Sequence, residues 1–234
     1  MNYPVIHHFE NELSGDLLIL RDKRTPNGYF RDALWRISYK LTEKEKELNL
    51  LPMTTETVTT GNNYPFQGKH VDIRLLCLVA IERTGLISSD AARRALRYNG
   101  WEPPQYFTRI YREHDTAKPI WIYGDKIMAD GKIIKIDEGI IATGGTAVEA
   151  IKKNVEGNPL GWHITAPLSS QAALEGELVD FLAGRNEPSY ILVGAIDDHW
   201  EEGFKGKGLD KNYYVAPGVG DMGKRAFGLD LDQD

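Results

Sequence analysis

The sequence has a single cysteine in 234 residues, Cys77, inside the apolar run "LLCLVAI". A disulfide framework is excluded by count, and Cys77 reads as a small core residue in a protein of the reducing cytoplasm. Long apolar runs are missing as well: no stretch approaches the roughly 20 residues of a membrane span. The opening "MNYPVIHHFE" has neither the basic nor the hydrophobic region of a signal peptide, so the expectation is a cytoplasmic protein with no membrane partner. Basic excess is lacking too. A net charge of -6 argues against nucleic acid as a partner, because such binding rests on clustered Lys and Arg meeting phosphates. The six histidines show no metal-ligand spacing; His7-His8, and His199 beside Asp197-Asp198, read as surface groups. No internal repeat or low-complexity tract occurs, and the acidic end "LDLDQD" reads as solvated.

What is present is an ordinary globular balance, 26% charged and 41% hydrophobic, over a length that suits one domain spanning residues 1–234. "TPNGYFRDALWRISYKL" places Phe30, Leu34, Ile37 and Leu41 on one side at helical spacing, with Pro26 suited to the first turn. "TTETVTT" alternates like a strand, and "GNNYPFQGK" reads as a turn or exposed loop. "VDIRLLCLVAI" is the near-unbroken apolar run of a strand covered on both faces, and "SSDAARRALRY" follows as a capped helix. Further strands are expected near "QYFTRIYRE", "KPIWIYG", "KIIKID", "GWHITAP" and "SYILVGAI", with helices after Gly145 and after Ser169. In the last of these Leu174, Leu178, Phe181 and Leu182 share a face. This alternation predicts an α/β fold with a mostly parallel central sheet flanked by helices, whose ligands bind beyond the carboxyl ends of the strands.

The residues with chemical potential lie just past those strands. "DEGIIATGGTAVEAI", Asp137 to Ile151, ends a strand in an acidic pair and enters a helix through Thr143-Gly144-Gly145-Thr146. Unpaired backbone N–H groups of a glycine turn at a helix start suit a phosphate. An alternative is purely structural: Thr146 and Glu149 have the spacing of a capping box, and Asp137 and Glu138 could close the strand end. Both readings stay open on this stretch alone. Two more strand ends carry matching groups, Glu82-Arg83 before a glycine turn and Arg112 in "RIYREHD"; the guanidinium fork fits phosphate oxyanions. "NYYVAPGVGDMGKRAFG", Asn212 to Gly228, sets Asp221 in a glycine- and proline-rich turn whose backbone can approach a ligand closely.

Taken in order, these segments resemble the uracil phosphoribosyltransferase family. "LLILRDKRTPNGYFRDALWRIS" is similar to that family's "LRDK…FR" segment, "IERTGL" to "LRAGL" and "IYREHDTAKPIWIY" to "YRDPET…YY". "DEGIIATGGTAVEAI" resembles "DPMLATGGS", and "ILVGAID" and "YVAPGVGDMGKRAFG" resemble "TAAID" and "YIVPGLGDAGDRLFG". The resemblance implies a type I phosphoribosyltransferase fold with a hood or arm formed by terminal and inserted segments. It also implies transfer of ribose 5-phosphate from phosphoribosyl pyrophosphate (PRPP), with Mg2+, to uracil, giving UMP and pyrophosphate, in a homodimer or larger homo-oligomer. Carried over by residue, Arg83 and Arg112 would hold the pyrophosphate, Asp137 the ribose hydroxyls, and Ala142, Thr143, Gly144, Gly145 and Thr146 the 5-phosphate. Asp221 would face the ribose and its metal-bound pyrophosphate, making Asp137, Arg83 and Asp221 the catalytic set. Backbone groups of Val215 and Gly220, with Tyr214 beside them, would read the base. Glu82 stands where the family has leucine and Glu138 where it has proline, and "DHWEEGFKGKGLDKN" is longer than its counterpart. A phosphoribosyltransferase for another nucleobase, or a nucleotide-sensing protein without turnover, are the alternative expectations.

Overall fold

The computed structural model describes residues 2–113 and 116–228. Its element order is β1 (Val5–His8), α1 (Glu10–Arg21), α2 (Asn27–Glu47), β2 (Met53–Thr59), β3 (Pro65–Val71), β4 (Leu76–Glu82), α3 (Gly85–Leu96), β5 (Gln105–Arg112) and β6 (Pro119–Gly124). There follow β7 (Ile127–Met128), β8 (Ile133–Asp137), β9 (Ile140–Ile141), α4 (Gly145–Asn154), β10 (Val155–Glu156), β11 (Gly161–Ser170), α5 (Gln171–Leu174), α6 (Glu177–Ala183), β12 (Ser189–Asp197) and α7 (Met222–Phe227). The main sheet runs β1-β12-β11-β8-β4-β5-β6, with β9 also on β11; every pairing is parallel except that of β5 with β6. This is the α/β architecture with a mostly parallel central sheet flanked by helices that the alternation predicts.

Both faces of the sheet are covered, so every residue of β8 and β11 and all but the last of β4 are buried, and β4 reads as a continuous apolar run rather than an alternating one. On one face Ile134, Ile136, Ile164, Ile191 and Val193 pack with Ala147, Val148 and Ile151 of α4 and Leu178 and Leu182 of α6; Cys77 belongs to this core. On the other, Leu168, Leu192 and Ala195 meet Leu13, Leu17 and Leu20 of α1 and Phe30, Leu34, Ile37 and Leu41 of α2. Each of the larger side chains contributes about 1.5–3 kcal/mol when withdrawn from water, so the two layers fix where the strands end.

Several elements depart from the sequence expectations. "NNYPFQGKH" is not simply a loop: β3 pairs antiparallel with β2 from Met53↔Val71 to Thr59↔Pro65, leaving only a short turn at its tip. Almost every residue of this hairpin is exposed, so no buried face marks β3 in the sequence. The third helix begins at Gly85; Ser88 and Ser89 are buried within it rather than capping it. Pro26 occupies the N-cap of α2, one residue outside the first turn. The helix expected after Ser169 is two, α5 and α6, separated at Gly176, although Leu174, Leu178 and Leu182 do face one core. The segments β1 and α1 were not anticipated; α1 buries only three leucines and Asp16, a weak stripe interrupted by Ser14 and Gly15. "LDLDQD" lies outside the described residues.

Candidate active site

A cavity of about 660 Å3 opens at the carboxyl ends of the strands. The end of β4 brings Glu82, Arg83 and Thr84, and β5 brings Arg109, Tyr111 and Arg112. The loop from β8 to α4 brings Glu138, Gly139, Ala142 and Thr146, and the tail brings Tyr213, Tyr214, Val215, Gly220, Asp221 and Lys224. Segments separated by more than a hundred residues in sequence therefore face one space. Among the described residues four cations (Arg83, Arg109, Arg112, Lys224) and four acids (Glu82, Glu113, Glu138, Asp221) line it, a balance that suits a polyanion accompanied by a cation rather than a bare polyanion.

Of the residues singled out from the sequence, Arg83, Arg112, Ala142, Thr146, Tyr214, Val215, Gly220 and Asp221 line this cavity. Thr143 and Gly145 instead border an adjoining hollow of about 400 Å3, shared with Lys118, Pro119, Glu149 and Glu177. Gly144 carries φ +82° at the N-cap of α4, and a β-carbon there would come within 2.6 Å of Leu178 Cβ, so only glycine fits this turn. The proposed capping box does not form: no side chain caps α4, and Glu149 lies 3.8 Å from Lys153 one turn on. Gly145 N, the first amide of α4, donates only a long bond of 3.4 Å to Thr143 Oγ1, and among the described residues the N-cap residue adds no side-chain cap.

Asp137 stands apart from the other residues singled out from the sequence. It is 1% exposed and does not reach the cavity. Its Oδ1 accepts from Thr165 Oγ1 at 2.6 Å and lies 3.0 Å from Lys135 Nζ, while its Oδ2 has no hydrogen-bond partner among the described residues. Lys135, itself fully buried, stands 2.8 Å from Glu45 of α2, and Glu45 meets His163 at 2.9 Å. Side chains on a strand alternate faces, so Lys135 and Asp137 point to the α2 layer while Ile134 and Ile136 fill the other core. Burial pushes the Asp137 carboxyl above its usual range, against Lys135 and the Thr165 hydroxyl. Burial alone would lower the Lys135 ammonium, but Asp137 and Glu45 hold it above its ordinary value.

The next residue, Glu138, lies past the strand end and turns toward the cavity. Burial raises its carboxyl to about 7, with the Arg112 guanidinium opposing. Glu82, the carboxylate beside Arg83, is engaged: Tyr123 Oη donates to Glu82 Oε1 at 2.7 Å. Arg109 escaped the sequence reading because Arg109 and Arg112 are three apart and would face opposite sides of a regular strand. In the structure the whole end of β5, Arg109 to Arg112, borders the cavity, and the register with β6 shifts between Arg109 and Ile110.

Asp221 Oδ1 caps α7 by accepting from Lys224 N at 2.8 Å. Tyr214 N donates to Asp210 Oδ1 at 2.8 Å, Val215 bridges to Leu209, and Ala216 N donates to Gly208 O at 2.9 Å. His199, expected at the surface, is exposed and meets Glu201, whereas the neighbouring Asp197 is buried and holds Arg21.

Among the described residues no group of three or more His, Cys, Asp or Glu could hold a metal ion unaided. Glu138 and Asp221 are separate acceptors on the cavity wall, which fits a cation only when a phosphorylated ligand supplies its remaining oxygens.

A family model for uracil phosphoribosyltransferase matches residues 10–229. The chain belongs to the uracil phosphoribosyltransferase family. Its relatives include a uracil phosphoribosyltransferase of Lachancea kluyveri, 31% identical over 93% of this chain and 92% of the relative. One of Dictyoglomus thermophilum is 30% identical over 97% of both. A solved protein from Aquifex aeolicus shares the fold with a TM-score of 0.79 at 19% identity, covering 97% of this chain and all of that one. Membership places the protein among the phosphoribosyltransferases, a class of glycosyltransferases. Among the described residues no helix is long and apolar enough to cross a membrane.

Proposed function

We propose that the protein transfers the 5-phosphoribosyl group of PRPP to uracil, forming UMP and releasing pyrophosphate. The observation that carries this reading is the convergence of the β4, β5, β8–α4 and tail segments on one cavity, in a member of this family. Arg83, Arg109 and Arg112 bind the pyrophosphate, and the amides of the Ala142–Thr146 turn at the start of α4 receive the 5-phosphate. Glu138, rather than the enclosed Asp137, accepts the ribose hydroxyls. Asp221 faces the ribose from the tail, and backbone groups of Val215 and Gly220 meet the base, with Tyr214 beside them.

Loss of pyrophosphate develops positive charge on the sugar and negative charge on the leaving oxygen, so arginines fixed before the reaction stabilise that transition state more than the bound reactant. Mg2+ held by PRPP would supply further charge neutralisation during loss of pyrophosphate, and Glu138 and Asp221 are the cavity carboxylates that would help hold it. A backbone pocket separates uracil from cytosine because exchange of a carbonyl for an amino group sets donor against donor.

Purified protein supplied with Mg2+, PRPP and a panel of nucleobases provides the test. UMP formation with uracil, matched by pyrophosphate release, is the expected outcome. Turnover confined to another base would replace uracil in this reading, and nucleotide binding without turnover of any base would replace the enzyme by a sensor.

A further inference from the structure

The tail loop that faces the cavity is held from its far side by two arginines and one aspartate, none of which lines the cavity. Arg21, the last residue of α1, makes a two-point ion pair with Asp197 at the end of β12, at 2.5 and 3.0 Å. The same guanidinium donates to Gly218 O at 3.2 Å, and Asp197 Oδ2 accepts from Gly218 N at 2.9 Å. Both polar groups of the Gly218 backbone are therefore fixed by one ion pair. Arg225 of α7 donates to Val219 O at 3.0 Å, to Leu20 O at 2.7 Å and to Asp22 O at 2.5 Å, and its guanidinium lies 4.5 Å from the Phe30 ring centre. Asp197 is 4% exposed, and Gly218 at φ +54° has no room for a β-carbon against Val215 O. The outward backbone groups at 218 and 219 are thus taken up, while Val215 and Gly220 border the cavity.

We propose that Arg21 and Asp197, assisted by Arg225, are positioning residues for base recognition: they fix the backbone of the 215–220 loop so that its inward groups meet the nucleobase edge. This rests on the reading that the tail loop receives the base. A loop carrying its own recognition groups on the backbone has no side chain with which to correct a misplacement. A shift of the loop should therefore weaken the base far more than the phosphorylated sugar, which the strand ends hold and which meets the tail only at Asp221, the residue that caps α7.

The test compares the full-length wild type with Asp197→Asn and Arg21→Lys, saturating each substrate in turn, and adds amide hydrogen exchange of the 215–220 segment. The clamp predicts a KM for the base raised roughly tenfold or more in Asp197→Asn, with the KM for PRPP within about twofold and kcat within about threefold. It also predicts faster exchange confined to the tail loop. Arg21→Lys, which keeps the charge but loses the two-point fork, should fall between wild type and Asp197→Asn. Equal rises in both KM values, an unchanged base KM, or exchange as slow as in the wild type would each overturn the clamp. A wild type inactive with every base would sink the base-reading role and leave hydrogen exchange to decide whether the loop is clamped.

Discussion

The two sides of the cavity are built in opposite ways. The floor, where β8 runs through Glu138 to the first turn of α4, comes from one unbroken stretch of fewer than twenty residues, its shape set by Gly144 and the strand before it. The tail wall is held by partners far apart in sequence: Arg21 reaches Asp197 across 176 positions, and Arg225 reaches Leu20 across 205. A local turn carries its chemistry in adjacent residues. A clamped loop borrows its rigidity from side chains that never meet the ligand.

Substitutions can break this contrast in order of expected effect. Arg83→Ala should lower kcat/KM by about a hundredfold or more while leaving the unfolding midpoint near wild type, since in the proposed reaction Arg83 carries charge aimed at the leaving group. Steady-state kinetics beside a thermal melt would show whether activity and stability separate. Lys135→Met should do the reverse. It strands Glu45 and Asp137 in the core without their cation, a loss of about 3–5 kcal/mol in denaturant unfolding. Activity lost at Lys135 with unchanged stability would mean that the buried network serves the reaction directly.

Glu138 sharpens the comparison through pH. Its carboxyl sits at about 7 rather than near 4.5 because of burial, so the folded state holds its proton more tightly than the unfolded chain does. Stability from this group is full at low pH and declines as pH rises from its unfolded value through about 7. If ionised Glu138 accepts the ribose hydroxyls, kcat/KM for PRPP should climb through that same range, and Glu138→Gln should remove both dependences. A pH profile identical in wild type and Glu138→Gln would separate Glu138 from the ribose. The smallest effect is expected for Glu82→Leu, which gives up one exposed hydrogen bond to Tyr123 and should shift stability by about 1 kcal/mol or less.

The sheet, most of its strands and the helix after the glycine turn were legible because apolar continuity and glycine placement are local signals. β3 and α1 were not, the first because most of it is exposed and the second because its leucine stripe is thin. Within the site the sequence marks the acidic pair at 137 and 138 but not which carboxylate borders the cavity. That choice depends on where β8 ends and on Lys135 drawing Asp137 into the core. Arg109 carries no motif of its own and is placed only by the end of β5 opening on the cavity, and the clamp is hidden by sequence distance.

A structure with UMP and pyrophosphate tests the central claim most directly. The account predicts the 5-phosphate on the amides that open α4, the pyrophosphate against Arg83, Arg109 and Arg112, the ribose hydroxyls beside Glu138 and the base at Val215 and Gly220. Phosphate bound away from the start of α4, or a base with no contact to the tail loop, would contradict it.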